Sequence, residues 1–578
     1  MYIENINSPK DIKELSVEQL SVLAEEVRTA LIRKLSEHGG HIGPNLGMVE
    51  TTIALHYVFN SPIDKIVFDV SHQSYVHKML TGRMAAFLDP AKYDDVTGYT
   101  NPDESEHDFF TIGHTSTSVS LAMGLAKGRD LTGGKENIIA VIGDGSLSGG
   151  EALEGLNNAA MLGSNMIIIV NDNDQSIAEN HGGLYKGLKE LRDTNGESPD
   201  NIFKAMGLEY YYLGDGHDVS ALIKLFTSVK DIDRAVVLHI HTIKGKGLKY
   251  AEENKEYWHA GGPFHIEDGS PKGPGWPVNE TVRESVLDLI EKRSDVVAIT
   301  AGTPSVIGFT EDYRKRAGKQ FVDVGIAEEH AVAMASGIAR NGGTPIFGVF
   351  SPFLQRTYDQ LSSDLCLNNN PAVIMVFMAS VYGMNSNTHL GIYDIPMISH
   401  IPNLVYLAPT SKEEYLAMFK YATTQKAHPI AIRIPMMMPE TGIEDTTDYS
   451  LLNKYQVVRK GAGVAIIALG DFFELGVQIA DKYKILTGND VTLINPKFIT
   501  GIDEELLECL KTDHKLVLTL EDGIVEGGFG QTIASFYGLS DMKVKNYGIK
   551  KSFPTDFRPE ELMRENGLSV EQIVEDIK

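Results

Sequence analysis

The sequence predicts an α/β fold made of three doubly wound domains, each built on a mostly parallel sheet. Short, continuously apolar runs alternate with longer amphipathic stretches along the chain, and such runs are typical of strands that are buried on both faces. Two loose segments interrupt this alternation, a Gly- and Pro-rich stretch at 266–277 and a polar stretch at 436–455. Because segments of this composition mark domain boundaries, the predicted domains are residues 1–270, 278–440 and 455–578.

Each predicted domain has its own set of strands. The assigned strands are 65–70, 137–145, 165–173 and 235–242 in the first domain, 296–300, 321–331, 344–350 and 371–378 in the second, and 463–469, 491–496 and 515–522 in the third. The amphipathic stretches between them are expected to form helices that cover the sheets. A length of 578 residues accommodates three such domains, since domains of about 100–200 residues are typical.

The composition argues against several classes of protein. The chain carries 52 Lys and Arg against 78 Asp and Glu, a net charge of −26, which argues against binding to nucleic acid. The sequence has neither an apolar run of about 18 residues nor the basic and apolar start of a signal peptide. Its two cysteines, Cys366 and Cys509, lie far apart and predict neither a disulfide framework nor a zinc site. We therefore expect a cytoplasmic protein that binds neither nucleic acid nor membranes.

A Gly-Asp-Gly motif at 143–145 follows one predicted strand and precedes a Gly- and Ser-rich turn that opens a helix. Asp144 is thereby placed at the carboxyl end of a strand, where doubly wound sheets bind ligands. The free N–H groups at the helix start suit a diphosphate. Asn173 ends the next predicted strand. Because Mg²⁺ prefers oxygen ligands, partly from substrate phosphates, we expect Asp144, Asn173 and the backbone carbonyl of Gln175 to hold this ion.

This pairing of Gly-Asp-Gly with a following Asn resembles the signature of thiamine-diphosphate enzymes. The sequence is similar to the 1-deoxy-D-xylulose-5-phosphate synthase family, which is related to transketolase, in SEHGGHIGPNLGMVETTIALHYVF (36–59), SHQSYVHKMLTGR (71–83), IGHTSTSVSLAMGLA (112–126), DVGIAEEHAV, FSPFLQRTYDQ, NTHLGIYD and LEDGIVEGGFGQ. The resemblance covers nearly the whole chain. It implies a transketolase-like fold with diphosphate-binding, pyrimidine-binding and C-terminal domains in that order. It also implies thiamine diphosphate and Mg²⁺ as cofactors, and a homodimer whose active site lies between the first two domains.

The resemblance assigns the residues that contact the cofactor. Glu328 matches the family's glutamate, whose carboxyl group hydrogen-bonds to the pyrimidine ring and so promotes loss of the thiazolium C2 proton. Phe353 matches the aromatic residue that stacks on the pyrimidine. Leu248 stands where the family has a tyrosine near the thiazolium, so this contact is expected to be apolar. The other implied contacts are His72, Gly113, His114, Thr115, Gly145, Ser146 and Asn173.

Several of the 18 histidines lie in Gly- or Ser-rich loops that match active-site positions of the family. These histidines are His41, His72, His114 and His389. Imidazole suits proton transfer near neutral pH, so we expect His41 and His389 to carry protons and His72 mainly to contact the cofactor. His259 is a weaker candidate for such a role, and His77 and His330 are expected to serve packing.

Three positions depart from the family's pattern in the acceptor pocket. Met378 and Met436 replace the two arginines with which the family binds the phosphate of glyceraldehyde 3-phosphate, and a thioether cannot pair with a phosphate dianion. Asn385 replaces an aspartate. Arg356 is retained and is expected to act in catalysis, and Arg433 lies nearby. The cofactor site therefore resembles the family's, whereas the acceptor pocket differs from it.

Three functional hypotheses follow. The first, favoured because the resemblance spans the chain, is thiamine-diphosphate-dependent decarboxylation of pyruvate and condensation with glyceraldehyde 3-phosphate. This reaction gives CO₂ and 1-deoxy-D-xylulose 5-phosphate, a precursor of either isoprenoids or cofactors. The second is transketolase-type transfer of a two-carbon unit to a less anionic aldehyde, which the two methionines favour. The third is a non-catalytic paralogue, and the retention of Glu328, Asp144 and Asn173 argues against it.

Overall fold

The computed structural model describes residues 2–273 and 279–578. The chain divides into two compact units, one formed by Met1–Pro277 with Gly325–Ala327 and the other by Val278–Val324 with Glu328–Lys578. The predicted boundary at 278 and the end of the Gly- and Pro-rich stretch lie outside the described residues.

The first unit is built on a five-stranded parallel sheet. The strands of the first unit, including two outside this sheet, are β1 (Gly40–His41), β2 (Lys65–Phe68), β3 (Ile138–Gly143), β4 (Met166–Asp172), β5 (Glu209–Leu213), β6 (Ala235–His241) and β7 (Ala260–Gly261). The sheet order is β2-β3-β4-β6-β5, and β1 pairs with β7 in an antiparallel ribbon. The longer helices are α1 (Val17–His38), α2 (Val49–Val58), α3 (Ser118–Thr132), α4 (Gly150–Ala159), α5 (Gly183–Asp193) and α6 (Val219–Val229). Shorter helices span Pro9–Ile12, Gly43–Gly47, Tyr75–Lys78, Ala85–Leu88, Ile202–Ala205 and Lys249–Glu253.

The second unit contains two further sheets. Its strands are β8 (Val296–Thr300), β9 (Phe321–Asp323), β10 (Thr344–Phe350), β11 (Val373–Phe377), β12 (Val405–Leu407), β13 (Ile430–Arg433), β14 (Gln456–Arg459), β15 (Gly463–Ala468), β16 (Thr492–Asn495), β17 (His514–Ile524) and β18 (Lys543–Ile549). The sheet orders are β12-β13-β11-β10-β8-β9 and β14-β16-β15-β17-β18. The longer helices are α7 (Glu280–Lys292), α8 (Glu328–Arg340), α9 (Lys412–Thr424), α10 (Phe473–Thr487), α11 (Phe529–Tyr537) and α12 (Val570–Ile577). Shorter helices span Glu311–Ala317, Ser351–Leu354, Asp394–Ile398, Glu504–Leu510 and Pro559–Glu565.

The cores lie on both faces of the sheets. In β3, Ile138, Ala140 and Ile142 belong to one apolar cluster, whereas Ile139 and Val141 belong to another. Successive side chains of a strand point to opposite faces, so helices must cover both faces of this sheet. The predicted α/β class with mostly parallel sheets is confirmed. In the described ranges 2–273 and 279–578, the one antiparallel pair inside a large sheet is the edge pair of β14 and β16.

The observed strands include several that the apolar runs did not predict. The larger of these are β5, β12, β13, β14 and β18. In β5 every residue is at least partly exposed, and short or half-exposed strands lack the continuous apolar run that marks a buried one. The stretch predicted as a strand at 321–331 is wrong beyond Asp323, because α8 begins at Glu328.

Within residues 2–273 and 279–578, no helix combines the length and the apolar character that crossing a membrane requires.

A buried cluster of charges joins three elements of the second unit. Arg433, at the end of β13, donates from Nε to Asp394 Oδ2 at 2.8 Å and from Nη1 to Asp522 in β17. The Tyr406 hydroxyl also donates to Asp394 Oδ2. All four side chains are almost fully buried, so the guanidinium is the group that compensates the two carboxylates.

We expect Arg433→Met to lower the free energy of unfolding by about 3–5 kcal/mol, because it leaves buried carboxylates without their cation. Urea unfolding followed by circular dichroism measures this change. The matched control is Arg459→Met, which removes a more exposed pair with Asp481 whose N···O distance is 2.6 Å. Exposed pairs contribute about 0–1 kcal/mol, so equal losses in the two variants would contradict this account.

Candidate functional site

The parallel register of β3 and β4 brings Asp144 and Asn173 to the same edge of the first sheet. Gly143, the last residue of β3, pairs with Asn171 in β4. Asp144 then donates its backbone N–H to the carbonyl oxygen of Asn171 at 3.0 Å. The side chains of Asp144 and Asn173 are buried, and both residues lie at the carboxyl edge of the sheet, where parallel α/β sheets bind ligands.

The donor set at this edge fits a hard cation. Asp144 Oδ2 accepts the backbone N–H of Gln175 at 3.1 Å and the Asn180 amide at 2.6 Å. The Asn173 Oδ1 atom is buried and, within the described part of the chain, has no hydrogen-bond partner. A buried acceptor without a donor requires an explanation, and a Mg²⁺ ion ligated by oxygen supplies one.

A cation here would also need ligands other than acidic or imidazole side chains. Among the residues that the structure describes, no group of three or more His, Cys, Asp or Glu side chains is arranged to hold a metal ion. Mg²⁺ is commonly held by one or two carboxylates together with phosphate oxygens. The site therefore fits an ion that binds together with a diphosphate.

The charge state of Asp144 depends on its neighbours. Burial, and after it the negative charge of Asp172, raises the pKa of Asp144 to about 7. Burial disfavours ionisation of Asp172 as well, but hydrogen bonds from His239 and Arg192, together with their charges, outweigh it and lower the pKa of Asp172 to about 2. A bound cation favours the ionised form of a nearby carboxyl group, so it would lower the pKa of Asp144.

The turn after Asp144 is tightly packed. Gly145 and Ser146 lie in a short 3₁₀ helix, Gly145–Ser148. A Cβ atom on Gly145 would lie 3.0 Å from the Cβ atom of Ser176, and one on Gly149 would lie 2.0 Å from Ser116 Oγ. These close approaches explain why glycines occupy the two positions, and Gly145 directly follows Asp144 in the sequence.

The loop that carries Gly113, His114 and Thr115 is held by a carboxylate that the sequence analysis missed. Asp69 Oδ1 accepts the backbone N–H of Ser116 at 2.8 Å, and its Oδ2 accepts that of Ser118 at 2.9 Å. Asp69 directly follows β2. Its position at a strand end, like that of Asp144, is the signal that could have identified it.

Three histidines form a compact cluster in the first unit. The ring centroids of His41 and His72 lie 5.1 Å apart, those of His72 and His259 5.2 Å, and those of His41 and His259 5.9 Å. Burial, and after it the charge of Lys244, lowers the pKa of His41 to about 4. Burial also places the pKa of His259 well below its usual value. These two imidazoles are therefore neutral at pH 7, and His259, a weaker candidate from sequence, lies among the predicted residues.

Lys244 is a second residue that sequence reasoning missed. Its side chain is fully buried, and Nζ donates to the backbone carbonyl of Ser176. Burial lowers the pKa of Lys244 to about 7, although the negative charge of Asp144 opposes this shift. Leu248, in the same Gly-rich segment, is 5% exposed and belongs to an apolar cluster, so its side chain offers only apolar contacts.

In the second unit, Glu328 is the first residue of α8 and is 4% exposed. Burial raises the pKa of Glu328 to about 7, although the charge of Arg356 opposes this shift. Arg356 Nη1 lies 3.7 Å from Glu328 Oε2, beyond hydrogen-bond distance. Within the described residues Oε2 has no hydrogen-bond partner. The neighbouring Glu329 is only half-buried, so Glu328 is the better candidate.

Phe353 and His389 contact each other in the second unit. Their ring centroids lie 5.6 Å apart in an edge-to-face arrangement. His389 Nδ1 lies 2.8 Å from Thr388 Oγ1, and this contact orients the imidazole. The structure thus brings together the predicted stacking residue and one predicted proton carrier.

The positions that depart from the family's pattern have specific surroundings. Met378 and Met436 are both partly buried, and the backbone N–H of Met436 donates to Asp471 at 3.0 Å. The Asn385 amide donates to the carbonyl oxygen of Phe557 at 3.2 Å. Arg433 lies near these positions in the sequence, but its side chain is bound to two buried carboxylates. It is therefore not available to bind a substrate phosphate.

Two histidines were expected to serve packing. His77 is buried and lies 2.9 Å from His56 and 2.8 Å from Asp108, so this prediction is confirmed. His330 is exposed, and the prediction for it is wrong. It is the third residue of α8 and, unlike Glu328, lies on the exposed side of that helix.

Comparison with known proteins identifies the family. A family profile described as 1-deoxy-D-xylulose-5-phosphate synthase matches residues 3–198 and 193–242. Profiles for the transketolase pyrimidine-binding domain and the transketolase C-terminal domain match residues 277–439 and 453–573. The three matches follow one another along the chain, in the order that the resemblance implied.

Relatives and solved structures extend this comparison. A 1-deoxy-D-xylulose-5-phosphate synthase from Carboxydothermus hydrogenoformans is 36% identical over 99% of this chain and 98% of its own length. The one from Shouchella clausii is 38% identical over 100% and 98%. Transketolase structures from Campylobacter jejuni (16% identical, TM-score 0.44, covering 97% of this chain and 100% of that one) and Leishmania mexicana (15%, 0.42, 97% and 97%) are similar more distantly.

The full-length matches and the three consecutive profiles are more specific than any single motif. The chain is an enzyme of the transketolase type, and it belongs to the 1-deoxy-D-xylulose-5-phosphate synthase family.

Proposed function

We propose that this chain condenses pyruvate with glyceraldehyde 3-phosphate to give 1-deoxy-D-xylulose 5-phosphate and CO₂, using thiamine diphosphate and Mg²⁺. The observation that carries the proposal is Glu328, a buried carboxyl group at the start of α8 with one oxygen that lacks a partner among the described residues. Since its pKa is raised to about 7, this group retains a proton in a large fraction of molecules at neutral pH. A protonated carboxyl group can donate to a ring nitrogen of a bound pyrimidine.

The residues present fit this cofactor. When bound, thiamine diphosphate supplies the carbon nucleophile for decarboxylation of a 2-keto acid. We propose that Asp144, Asn173 and the Gln175 carbonyl hold Mg²⁺ and that Phe353 and Leu248 contact the rings. The remaining proposed contacts, on the diphosphate and the rings, are His72, Gly113, His114, Thr115, Gly145 and Ser146. The partnerless Asn173 oxygen and the tight glycine turn support this assignment.

Imidazole side chains suit the proton transfers that the reaction needs. Carbon dioxide leaves from the pyruvate carboxylate, a bond forms between the former keto carbon and the aldehyde carbon, and the aldehyde oxygen takes up one proton. A neutral imidazole has one N–H donor and one lone pair, so it can give or accept a proton. We propose His41 and His389 as the proton carriers and Arg356 as a catalytic cation beside Glu328.

Assembly and location are further proposals. We infer a homodimer from the family resemblance and a cytoplasmic location from the cysteines, since Cys366 is buried, Cys509 is exposed and both are free thiols. The net charge of −26 supports small-molecule substrates rather than nucleic acid as partners. Two-carbon transfer to another aldehyde is not favoured, because full-length relatives carry the synthase name.

Product analysis by NMR tests the proposed reaction. With ¹³C-labelled pyruvate, thiamine diphosphate and Mg²⁺, we expect the label to appear in 1-deoxy-D-xylulose 5-phosphate only when glyceraldehyde 3-phosphate is present. A parallel sample replaces pyruvate by a ketose donor. Cleavage of the ketose without use of pyruvate would contradict the proposal and identify a transketolase-type transfer.

The matched control for this assay is Glu328→Gln, which keeps the size of the side chain but removes the acidic proton. We expect it to abolish turnover while circular dichroism and melting temperature stay unchanged. Near-normal product formation by this variant would show that Glu328 does not have the proposed role.

The acceptor pocket generates a separate prediction. Met378→Arg combined with Met436→Arg is expected to lower KM for glyceraldehyde 3-phosphate, because a guanidinium binds a phosphate in a bidentate way and a thioether does not. Initial rates at varied acceptor concentration measure this change, with Met437→Arg as the control at an exposed neighbouring position. An unchanged or raised KM would show that the phosphate is bound elsewhere.

A further inference from the structure

The side chain of Asn45 connects the two loops that carry His41 and His72. Asn45 lies in the short helix Gly43–Gly47 and is 0% exposed. Its Nδ2 atom donates to the carbonyl oxygen of His41 at 2.8 Å and to that of His72 at 2.7 Å. Its Oδ1 atom accepts the backbone N–H of Tyr75 at 2.9 Å. One amide therefore uses both N–H donors and its acceptor on the backbone of two separate segments.

The segment before His72 needs such support. Val70 and Ser71 have φ values of 57° and 66°, in the left-handed region that residues other than glycine, and above all β-branched ones such as valine, rarely adopt. Conformations of this kind are strained and persist only where the surrounding structure fixes them. The hydrogen bond to the His72 carbonyl lies directly after this bend, so Asn45 fixes the direction in which the chain leaves it.

The other side of the cluster is fixed independently. Residues 40–41 pair with 260–261 as β1 and β7, and the backbone N–H of Gly43 donates to the carbonyl of Trp258 at 2.8 Å. These backbone bonds position His41 relative to His259. His72 belongs to neither strand, and the Asn45 amide is a side-chain contact that joins the backbone of His72 to that of His41.

Only an amide satisfies this arrangement. A carboxylate at position 45 has no donor, so its oxygen would face two carbonyl oxygens at the present distances of 2.7 and 2.8 Å. The carboxylate oxygen and the carbonyl oxygens of His41 and His72 are all acceptors, so they repel one another, and the two buried carbonyls lose their donor. Since Asp and Asn side chains have nearly the same size, Asn45→Asp removes the two hydrogen bonds to His41 and His72 with little change in volume.

We propose that Asn45 is a positioning residue that sets the placement of His72 relative to His41, and that it controls the catalytic rate without touching the substrate. The effect on rate rests on the proposed function, whereas the effect on the histidines does not. A 1 Å displacement of a reacting group can cost about 100-fold in rate, so we expect kcat of Asn45→Asp to fall about 10- to 100-fold.

The control is Asn137→Asp, another buried asparagine of the first unit. Asn137 Nδ2 donates to Asp64 at 3.0 Å and to Asp231 at 2.9 Å, just before β3 and at the opposite end of the sheet from Asp144. This substitution also breaks buried amide hydrogen bonds and, in addition, places a carboxyl group against the carboxylates of Asp64 and Asp231, so it reports an upper limit for the general cost of such a loss. Melting temperatures of both variants show whether their stability losses match.

Two readouts test the proposal on the full-length protein. The first is kcat, which we expect to fall much further in Asn45→Asp than in Asn137→Asp. The second is the ¹³C NMR spectrum of histidine Cε1 in the cofactor-free protein, assigned with His41→Asn and His72→Asn. The His41 and His72 signals are expected to shift in Asn45→Asp and to stay in place in Asn137→Asp.

Unchanged histidine signals in Asn45→Asp, or equal losses of kcat in the two variants, would overturn the proposal. If Asn45→Asp does not fold, Asn45→Ser removes the same double donor with a smaller side chain and is judged by the same readouts. If the histidine signals shift but the wild-type enzyme makes no 1-deoxy-D-xylulose 5-phosphate, the proposed function fails while the positioning of the histidines by Asn45 stands.

Discussion

Removal of ionisable side chains from water is the physical constraint on which both parts of the candidate site depend. Burial is the largest cause of the pKa shifts of Asp144, Lys244, His41 and Glu328, and in each it favours the neutral form. Elsewhere the chain compensates buried charge with an ion pair, as Arg433 does. At the site it leaves such groups with little compensation, and this is characteristic of positions that bind ligands or move protons.

The sheet edges explain how these groups come to be buried. Parallel strands end side by side, and their carboxyl ends leave polar side chains at the surface of an otherwise apolar sheet. Asp69, Asp144 and Asn173 all follow such strand ends. The loops that leave these strands are tightened by glycines and by backbone hydrogen bonds, so that side chains near the edge lose contact with water while retaining unsatisfied polar atoms.

Sequence reasoning predicted the fold class, most central strands and the residues that belong to motifs. It missed β5 and β12 because these strands are half-exposed or short, and an apolar run does not mark them. It also missed Asn45 and Lys244, because their roles depend on contacts between segments far apart in the chain, and it missed Asp69 although its place directly after β2 is a usable signal. For the same reason the sequence did not reveal that Arg433 is unavailable to bind a substrate phosphate, since its partner Asp522 is 89 positions away.

The protonation of Glu328 is the most direct test of this account. Infrared difference spectra of the cofactor-free wild-type protein and Glu328→Gln, recorded from about pH 5 to about pH 8, isolate the carboxyl band of this residue, which in water would titrate near pH 4.3. A raised pKa means that the group keeps its proton below that pKa. We predict a protonated band that disappears with a midpoint near pH 7; an ionised carboxylate throughout this range would contradict the account.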